Sequence, residues 1–152
     1  MKRFFLFVAF VLIFIALGLS DNSLLHLSNR YPDMNVVFYT KHKTSLDSIN
    51  DGIYNQISCK ARDAKKIKSM LKDISGMSIS FQGGLDDINY ILDYFDVKVI
   101  LQKTNNDILY IYGYSKLILT PSVLVDNNYI NIQLALNNQI VTAGLPIILG
   151  SY

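Results

Sequence analysis

The sequence is poor in residues that cross-link a chain or carry acid–base chemistry, with one cysteine, two histidines, three prolines and no tryptophan in 152 residues. A single cysteine, Cys59, cannot form an internal disulfide, so the folded part must be stabilised by packing alone. His26 and His42 precede the main run of predicted elements and are interpreted as ordinary surface residues. The motifs H-E-x-x-H and G-x-S-x-G are absent. We therefore predict that the protein is not an enzyme and has no catalytic residues, cofactor or metal site.

The chain also lacks a large excess of charge of either sign. Fourteen Lys and Arg stand against twelve Asp and Glu, and two of the bases, Lys2 and Arg3, lie at the start. Residues 21–152 therefore carry twelve bases and twelve acids. A neutral folded region has no overall attraction for a phosphate backbone, so we predict no nucleic-acid partner.

One long stretch, Phe4 to Leu19, contains no charged residue and directly follows Lys2 and Arg3. A basic start, an apolar run and a polar sequel are the three parts of an export signal, and the basic flank is expected to stay in the cytoplasm. As a helix the run rises about 24 Å, against a hydrocarbon core of about 30 Å, which is short for a permanent span. Residues 1–20 are thus a cleaved signal peptide or a signal anchor. The remainder is predicted to be extracytoplasmic, either membrane-anchored or secreted.

The rest of the chain suffices for one hydrophobic core and is too short for two ordinary domains. Residues 21–34 are interpreted as a stem or linker, because Asn29 and Pro32 interrupt a short leucine-rich run. Residues 35–152 are predicted to form a single domain.

The first predicted elements of this domain are strands. Residues 36–40 are all β-branched or aromatic, which favours a strand. Residues 46–60 are interpreted as a hairpin in which Asp51-Gly52 supplies a type I′ turn. Alternation along the second arm places Cys59 on the apolar side with Ile53 and Ile57, which predicts a buried and inert thiol.

Residues 63–75 have the clearest helical pattern in the chain. Four apolar residues recur at the spacing of one buried stripe: Ile67, Met70, Leu71 and Ile74. Asp63 is predicted to cap the start of this helix, and Gly76 to follow its end.

The other side of the same predicted helix is basic and carries Arg62, Lys65, Lys66, Lys68 and Lys72. Such a run is usually a solvated face. The functional alternative is contact with an anionic surface, either lipid headgroups or wall polymers outside a Gram-positive cell. Local charge would drive this contact despite the neutral total.

A strand predicted at residues 77–81 leads through Gly83-Gly84 into a second helix at residues 85–95. A strand, a glycine pair and a helix together suggest a phosphate-binding loop. Asp86 and Asp87, however, lie in the first turn of the helix, where they would repel a phosphate. We therefore predict no phosphate site here.

From residue 97 onward the pattern predicts a series of strands, at residues 97–103, 107–114, 117–125, 129–136 and 139–149. In residues 129–136 branched apolar residues alternate with Asn131, Gln133 and Ala135, which predicts a strand buried on one face. Tyr110, Tyr112 and Tyr114 share a face of the strand predicted at residues 107–114. They form either a half-buried packing face or an aromatic platform that binds a glycan or a peptide.

Three features of the C-terminal segment carry a family resemblance: Asn131-Ile132-Gln133-Leu134-Ala135-Leu136, then Gly144-Leu145-Pro146-Ile147-Ile148, then a terminal Tyr152. In these features the chain resembles the YwmB-like family of exported proteins from spore-forming Bacillota, which is also called TATA-box-binding-protein-like. The resemblance implies an extracytoplasmic α+β protein of unassigned role, with no catalytic residues to carry over.

The predicted fold class is α+β, with two helices packed on one face of a largely antiparallel sheet, after an N-terminal hydrophobic signal or anchor helix. The predicted function is a non-catalytic interaction or assembly module of a bacterial cell envelope, for example in sporulation. Its expected partners are the membrane, through Phe4 to Leu19, and an envelope protein. The alternative is a ligand-binding module that uses the tyrosine face.

Overall fold

The structure is a computed structural model that describes residues 24–149. The predicted signal or anchor run, Phe4 to Leu19, lies outside the described residues, and so does Tyr152. Within residues 24–149 no helix has the length and hydrophobicity needed to cross a membrane.

The described residues form ten strands and three helices. In chain order these are a 3-10 helix at Leu24–Asn29, β1 at Asn35–Thr40, β2 at Ile49–Asn50, β3 at Asn55–Lys60, α1 at Ala61–Met70, β4 at Ile74–Gln82, α2 at Leu85–Tyr94, β5 at Lys98–Asn105, β6 at Ile108–Tyr114, β7 at Val123–Val125, β8 at Asn128–Ile130, β9 at Ile132–Asn137 and β10 at Ile140–Leu145. Eight strands form one sheet in the order β2-β3-β1-β4-β10-β9-β6-β5, while β7 and β8 form a separate hairpin. Every strand pairing is antiparallel.

The predicted α+β class is wrong, because the described chain is mostly antiparallel sheet. Strands hold 44% of its residues and helices only 21%, and α1 and α2 have ten residues each. Residues that the helical period assigns to the first helix belong to the sheet instead. Ile74 pairs with Thr40, and Gly76 pairs with Tyr39. Pairing with β1 therefore overrides the local helical spacing.

One face of the large sheet carries the hydrophobic core. Its buried side chains alternate along five strands and are Val36, Phe38, Met77, Ile79, Phe81, Ile111, Ile132, Leu134, Val141, Ala143 and Leu145. Ile88 and Ile91 of α2 belong to the same cluster. So do Leu24, Leu25 and Leu27, which the sequence analysis assigned to a stem. Each fully buried leucine of this segment stabilises the fold by about 1.5–3 kcal/mol, so the segment packs as part of the core.

Helix α1 begins earlier and packs differently than predicted. It starts at Ala61, after Lys60, and Asp63 lies inside its first turn without capping it. Its fully or nearly buried residues are Ala61 and Ala64, whereas Met70, predicted to be buried, is 52% exposed. Ile67, Leu71 and Ile74 are partly buried and pack against the core, so the predicted stripe is wrong only at Met70.

The central strands are buried on both faces, which corrects the half-buried pattern predicted for residues 129–136. Gln133 is only 5% exposed, and Ala135 is also buried. After the cis Leu145-Pro146 peptide bond the chain turns back over this second face. Ile148 N donates a hydrogen bond to Gln133 Oε1 at 3.1 Å. The returning segment lies so close that a Cβ atom placed on Gly144 would be 2.5 Å from Ile148 N.

A buried asparagine interrupts the strand predicted at residues 129–136 and separates β8 from β9. Asn131 is 2% exposed, and its Oδ1 accepts a hydrogen bond from Ser115 N at 2.9 Å. Its Nδ2 donates to the carbonyls of Ser115 at 2.7 Å and Ile118 at 3.1 Å. These bonds hold the connection between β6 and β7 in irregular structure, so only Val123–Val125 of the strand predicted at residues 117–125 is formed.

Candidate functional site

Two loops meet at one end of the sheet. β1 ends at Thr40, where it pairs with Asn55 at the start of β3 and with Ile74 at the start of β4. The β1–β3 connection and the α1–β4 connection therefore emerge side by side. We call residues 41–54 together with residues 70–73 the loop end.

The exposed side of α1 is the first part of the candidate site. Arg62, Lys65 and Lys66 are all exposed and lie opposite the buried alanines of the helix. Arg62 Nε is 3.4 Å from Asp63 Oδ2, a surface pair of the kind that contributes little to stability. We call these three residues the basic face.

The structure does not bring all five predicted basic residues together. Lys68 is half-buried and lines a different cavity, with Phe38 and Leu145. Lys72 follows the end of α1 and lies at the loop end. Three of the five side chains thus share the basic face. Lys72 extends this face towards the loops, and Lys68 lines another cavity.

A cleft of about 510 Å³ opens between the β1–β2 loop and the end of α1. Its lining is cationic, hydroxyl-bearing and apolar, without a carboxylate: Thr40, His42, Lys43, Thr44, Ser45, Met70, Leu71 and Lys72. Thr40 Oγ1 joins the two walls, because it donates to the Lys72 carbonyl at 3.0 Å and accepts from His42 N at 3.1 Å. His42 Nε2 lies 3.0 Å from Oδ2 of Asp73, which is not part of the lining. The arrangement suits an anion with oxygen acceptors.

The hairpin tip beside this cleft is held by Asp51. The connection from β2 to β3 contains four residues, 51–54, instead of the predicted two-residue turn. Asp51 Oδ1 accepts hydrogen bonds from Tyr54 N at 2.7 Å and Ile53 N at 2.9 Å, and Oδ2 accepts from Gln56 Nε2 at 2.9 Å. These donors, the backbone N–H groups first, hold the pKa of Asp51 below its ordinary value. Ile53, predicted to lie on the apolar side, is 68% exposed at this tip.

The tyrosine face is largely part of the packed surface. Tyr110 and Tyr112 are half-buried, and Tyr114 is 38% exposed. Lys103, the cross-strand neighbour of Tyr110, donates to Asp126 Oδ2 at 2.6 Å, and this bond raises the pKa of Lys103. Because Asp126 lies in the turn between β7 and β8, that hairpin reaches the tyrosine side of the sheet.

A second polar cluster, absent from the sequence predictions, lies at the opposite end of the sheet. Tyr31 Oη donates to Asp87 Oδ1 at 2.7 Å and accepts from Arg30 Nε at 3.0 Å. The ring of Tyr31 stacks on Phe81 with centroids 3.8 Å apart, and the Arg30 guanidinium lies 4.0 Å from the centre of the Tyr90 ring. Burial, and then the bond to Asp87, raise the pKa of Tyr31 to about 12. No local sequence signal predicts a contact between residues 56 positions apart.

Asp87 also accepts a hydrogen bond from Gly84 N through Oδ2, at 2.9 Å. The carboxylate therefore occupies a backbone donor that a phosphate would use at the start of α2. This geometry agrees with the sequence argument against a phosphate loop at Gly83-Gly84. The backbone N–H of Gly84, and then the hydroxyl of Tyr31, hold the pKa of Asp87 below its ordinary value.

The remaining chemical groups of the described chain form no reactive constellation. Cys59 is half-buried, and burial followed by the nearby Asp63 raises the pKa of its thiol, which disfavours the reactive thiolate. Ser69 and Lys72 have S-x-x-K spacing, but Ser69 Oγ donates to the Lys66 carbonyl at 2.7 Å. Residues 24–149 contain no group of three or more potential metal-binding side chains.

Comparison of the chain with protein-family models, with curated proteins and with solved structures finds no match.

Proposed function

We propose that the protein is a non-catalytic interaction module of a bacterial cell envelope, located on the outer side of the membrane, which meets an anionic surface of the envelope through α1. The export signal read from Phe4 to Leu19 supports the location. The resemblance of the C-terminal segment to the YwmB-like family of exported proteins also supports this location. An envelope protein is a further proposed partner.

The observation that carries this proposal is the separation of charge along the chain. Residues 41–72 contain eight Lys and Arg against three Asp, whereas residues 73–149 contain seven Asp against three Lys. The basic face presents three cations on one helix, and Lys72 adds a fourth at its end. Each Lys or Arg close to an anionic surface contributes about 1 kcal/mol of attraction at moderate salt, so four act together despite the neutral total.

A charge-reversal pair tests the contact. Lys65→Glu with Lys66→Glu removes the centre of the basic face, and Lys98→Glu with Lys116→Glu makes the same change of net charge at exposed positions elsewhere. We expect the first variant to lose sedimentation with purified Gram-positive envelopes by about tenfold or more, as two lysines at about 1 kcal/mol each require. The second variant should sediment like the wild type. Equal loss in both variants would show that only net charge matters and would overturn the proposal.

The location is tested separately, with the single cysteine removed. A Cys59→Ser, Thr104→Cys chain presents one exposed thiol on β5. A membrane-impermeant maleimide should label this thiol in intact protoplasts of bacteria that express the variant. Labelling that requires lysis places the domain inside the cell and rules out the proposed function.

A second candidate function, glycan or peptide binding, has one observation in its favour: three tyrosines share one face of β6, and Tyr114 remains partly open there. Tyr114→Ala should then reduce retention on purified wall glycan. Tyr129→Ala, at a residue that is 67% exposed, is the matched control. Absence of retention by the wild type would eliminate this candidate.

A further inference from the structure

We propose that the loop end and the basic face dock together onto an anionic phospholipid bilayer, with a lipid phosphate group in the cleft and the side chains of Ile49, Ile53 and Met70 in the headgroup layer. This inference rests on the proposed function and names the surface that the basic face meets. Three observations support it: the lysines that line the cleft without a carboxylate, the net positive charge of the basic face, and the exposed apolar side chains of the loop end.

The cleft has the donors that a phosphodiester needs. Lys43 and Lys72 line it from opposite walls, and Thr44 and Ser45 add hydroxyl groups. Within residues 24–149 neither lysine has an ion pair. Lysine acts as a point charge towards a phosphate, and hydroxyl groups complete its hydrogen bonds. The cleft therefore presents two lysines that no carboxylate of the described chain pairs with.

The acids of the loop end do not line the cleft. The carboxylate of Asp51 is turned into the hairpin, where three donors from within the hairpin saturate it. The carboxylate of Asp73 lies 3.0 Å from the His42 ring. Asp47 is the remaining acid, and Lys41 stands against it in the same loop. The loop end alone thus has three Lys against three Asp. Net attraction for an anionic surface comes from the basic face beside it, where three cations stand against Asp63.

The apolar side chains favour a bilayer over a soluble anionic polymer. Ile49 is 73% exposed, Ile53 68% and Met70 52%. The hydrogen bonds of Asp51 hold the tip that carries Ile53 in one conformation, so little ordering remains to be done when the tip is buried. A hydrophilic wall polymer offers nothing to bury these side chains, whereas the boundary between headgroups and acyl chains does.

The experiment places an environment-sensitive fluorophore on the hairpin tip of the full chain. A Cys59→Ser, Ile53→Cys chain is labelled and reconstituted into vesicles of phosphatidylcholine, either alone or mixed with phosphatidylglycerol. We expect a blue shift and protection from an aqueous quencher only when phosphatidylglycerol is present. The same probe at Leu85→Cys, an exposed site at the other end of the sheet, should remain aqueous in both.

Two further arms decide the role of the cleft. Adding Lys43→Glu and Lys72→Glu to the tip-labelled chain should abolish the blue shift, while Lys98→Glu and Lys116→Glu should preserve it. The proposal is overturned if the probe at position 53 shows no blue shift with phosphatidylglycerol vesicles, or if the probe at position 85 shows an equal blue shift. Release of the tip by soluble poly(glycerol phosphate) identifies a wall polymer as the occupant and also overturns it. If envelope sedimentation still depends on Lys65 and Lys66 in these cases, the proposed function survives and only the bilayer assignment fails.

Discussion

Asp87 connects the start of α2 to the segment that precedes β1. Its carboxylate accepts hydrogen bonds from Tyr31 Oη and Gly84 N, and both bonds favour the charged form. The folded pKa therefore lies below the ordinary value of 3.8. A group of this kind contributes stability that is fully present above the unfolded pKa and is lost as the pH falls through the lower folded pKa.

We predict that Asp87→Asn lowers the free energy of unfolding by about 1–2 kcal/mol near pH 7, because a charged acceptor is lost. The difference from the wild type should shrink as the pH falls below the ordinary value of 3.8, where the unfolded carboxyl takes up a proton, and should vanish below the lower folded pKa. Urea denaturation across this pH range measures it. Asp86→Asn, at the exposed neighbouring acid, is the control and should show no such convergence. A difference that stays constant with pH would contradict the assigned hydrogen bonds.

Asn131 satisfies three backbone groups that would otherwise be buried without partners: Ser115 N, the Ser115 carbonyl and the Ile118 carbonyl. We predict that Asn131→Ala costs about 2–4 kcal/mol of unfolding free energy, since each orphaned buried group costs about 1–3 kcal/mol and water replaces part of the loss. Chemical denaturation of both proteins measures the cost. Asn128→Ala, at an exposed residue two strand positions before Ile130, should change stability much less. Similar costs at both positions would show that the network does not hold the β6–β7 connection.

At the scale of elements, the segment that follows β10 depends on the absence of a side chain at Gly144. This segment crosses the second face of the sheet at a distance that leaves no room for a Cβ atom, and the obstructing atoms belong to the backbone of Ile147 and Ile148. A flexible side chain could move aside, but this backbone is tied to Gln133 through Ile148 N.

We predict that Gly144→Ala destabilises the protein by about 1–3 kcal/mol, the usual cost of overpacking. Gly84→Ala is the matched control, because a Cβ atom at Gly84 would meet nothing within 4 Å. Thermal unfolding of the two variants gives the comparison. If Gly144→Ala were as stable as Gly84→Ala, the segment after β10 would not lie against Gly144.

The same elements show how far the sequence predicts this fold. Local patterns suffice for β1 and for α2, which begins at Leu85 as predicted, because their residues match both the local period and the final packing. They fail at residues 74–76, whose helical spacing loses to pairing with β1. They also fail for β9, whose polar residues alternate as if exposed but lie in the middle of the sheet. Burial of its second face depends on distant segments, which no window of β9 contains.

The candidate site, like the fold, was predictable from the sequence only in part. The charge of the basic face is visible along the chain, because it depends on helical spacing over a few residues. The cleft beside Lys43 and the exposure of Ile53 depend on where two loops meet, and the half-burial of Lys68 depends on distant residues such as Phe38 and Leu145, so sequence reasoning missed them. The Tyr31–Asp87 contact was missed for the same reason.

At the scale of the whole molecule, order in the large sheet should fall from its centre to its edges. β4, β10 and β9 lie in the middle, and buried residues dominate both faces of β9. At the edges, β2 has only two residues, both exposed, and six of the eight residues of β5 are exposed. The loop end adjoins the β2 edge, so its residues can settle against a surface without disturbing the central strands.

We therefore predict a graded pattern of native-state amide hydrogen exchange. Amides of β10 and β9 should exchange only through global unfolding, with an opening free energy equal to that from denaturant, typically about 5–15 kcal/mol. Amides of β2 and of the outer side of β5 should exchange through local opening, whose free energy should be a small fraction of the global value. Exchange measured by NMR at increasing denaturant separates the two, because only global opening depends steeply on denaturant. Equal protection in β2 and β10 would mean that the loop end opens only with the whole sheet, so any surface that it meets would contact a rigid end.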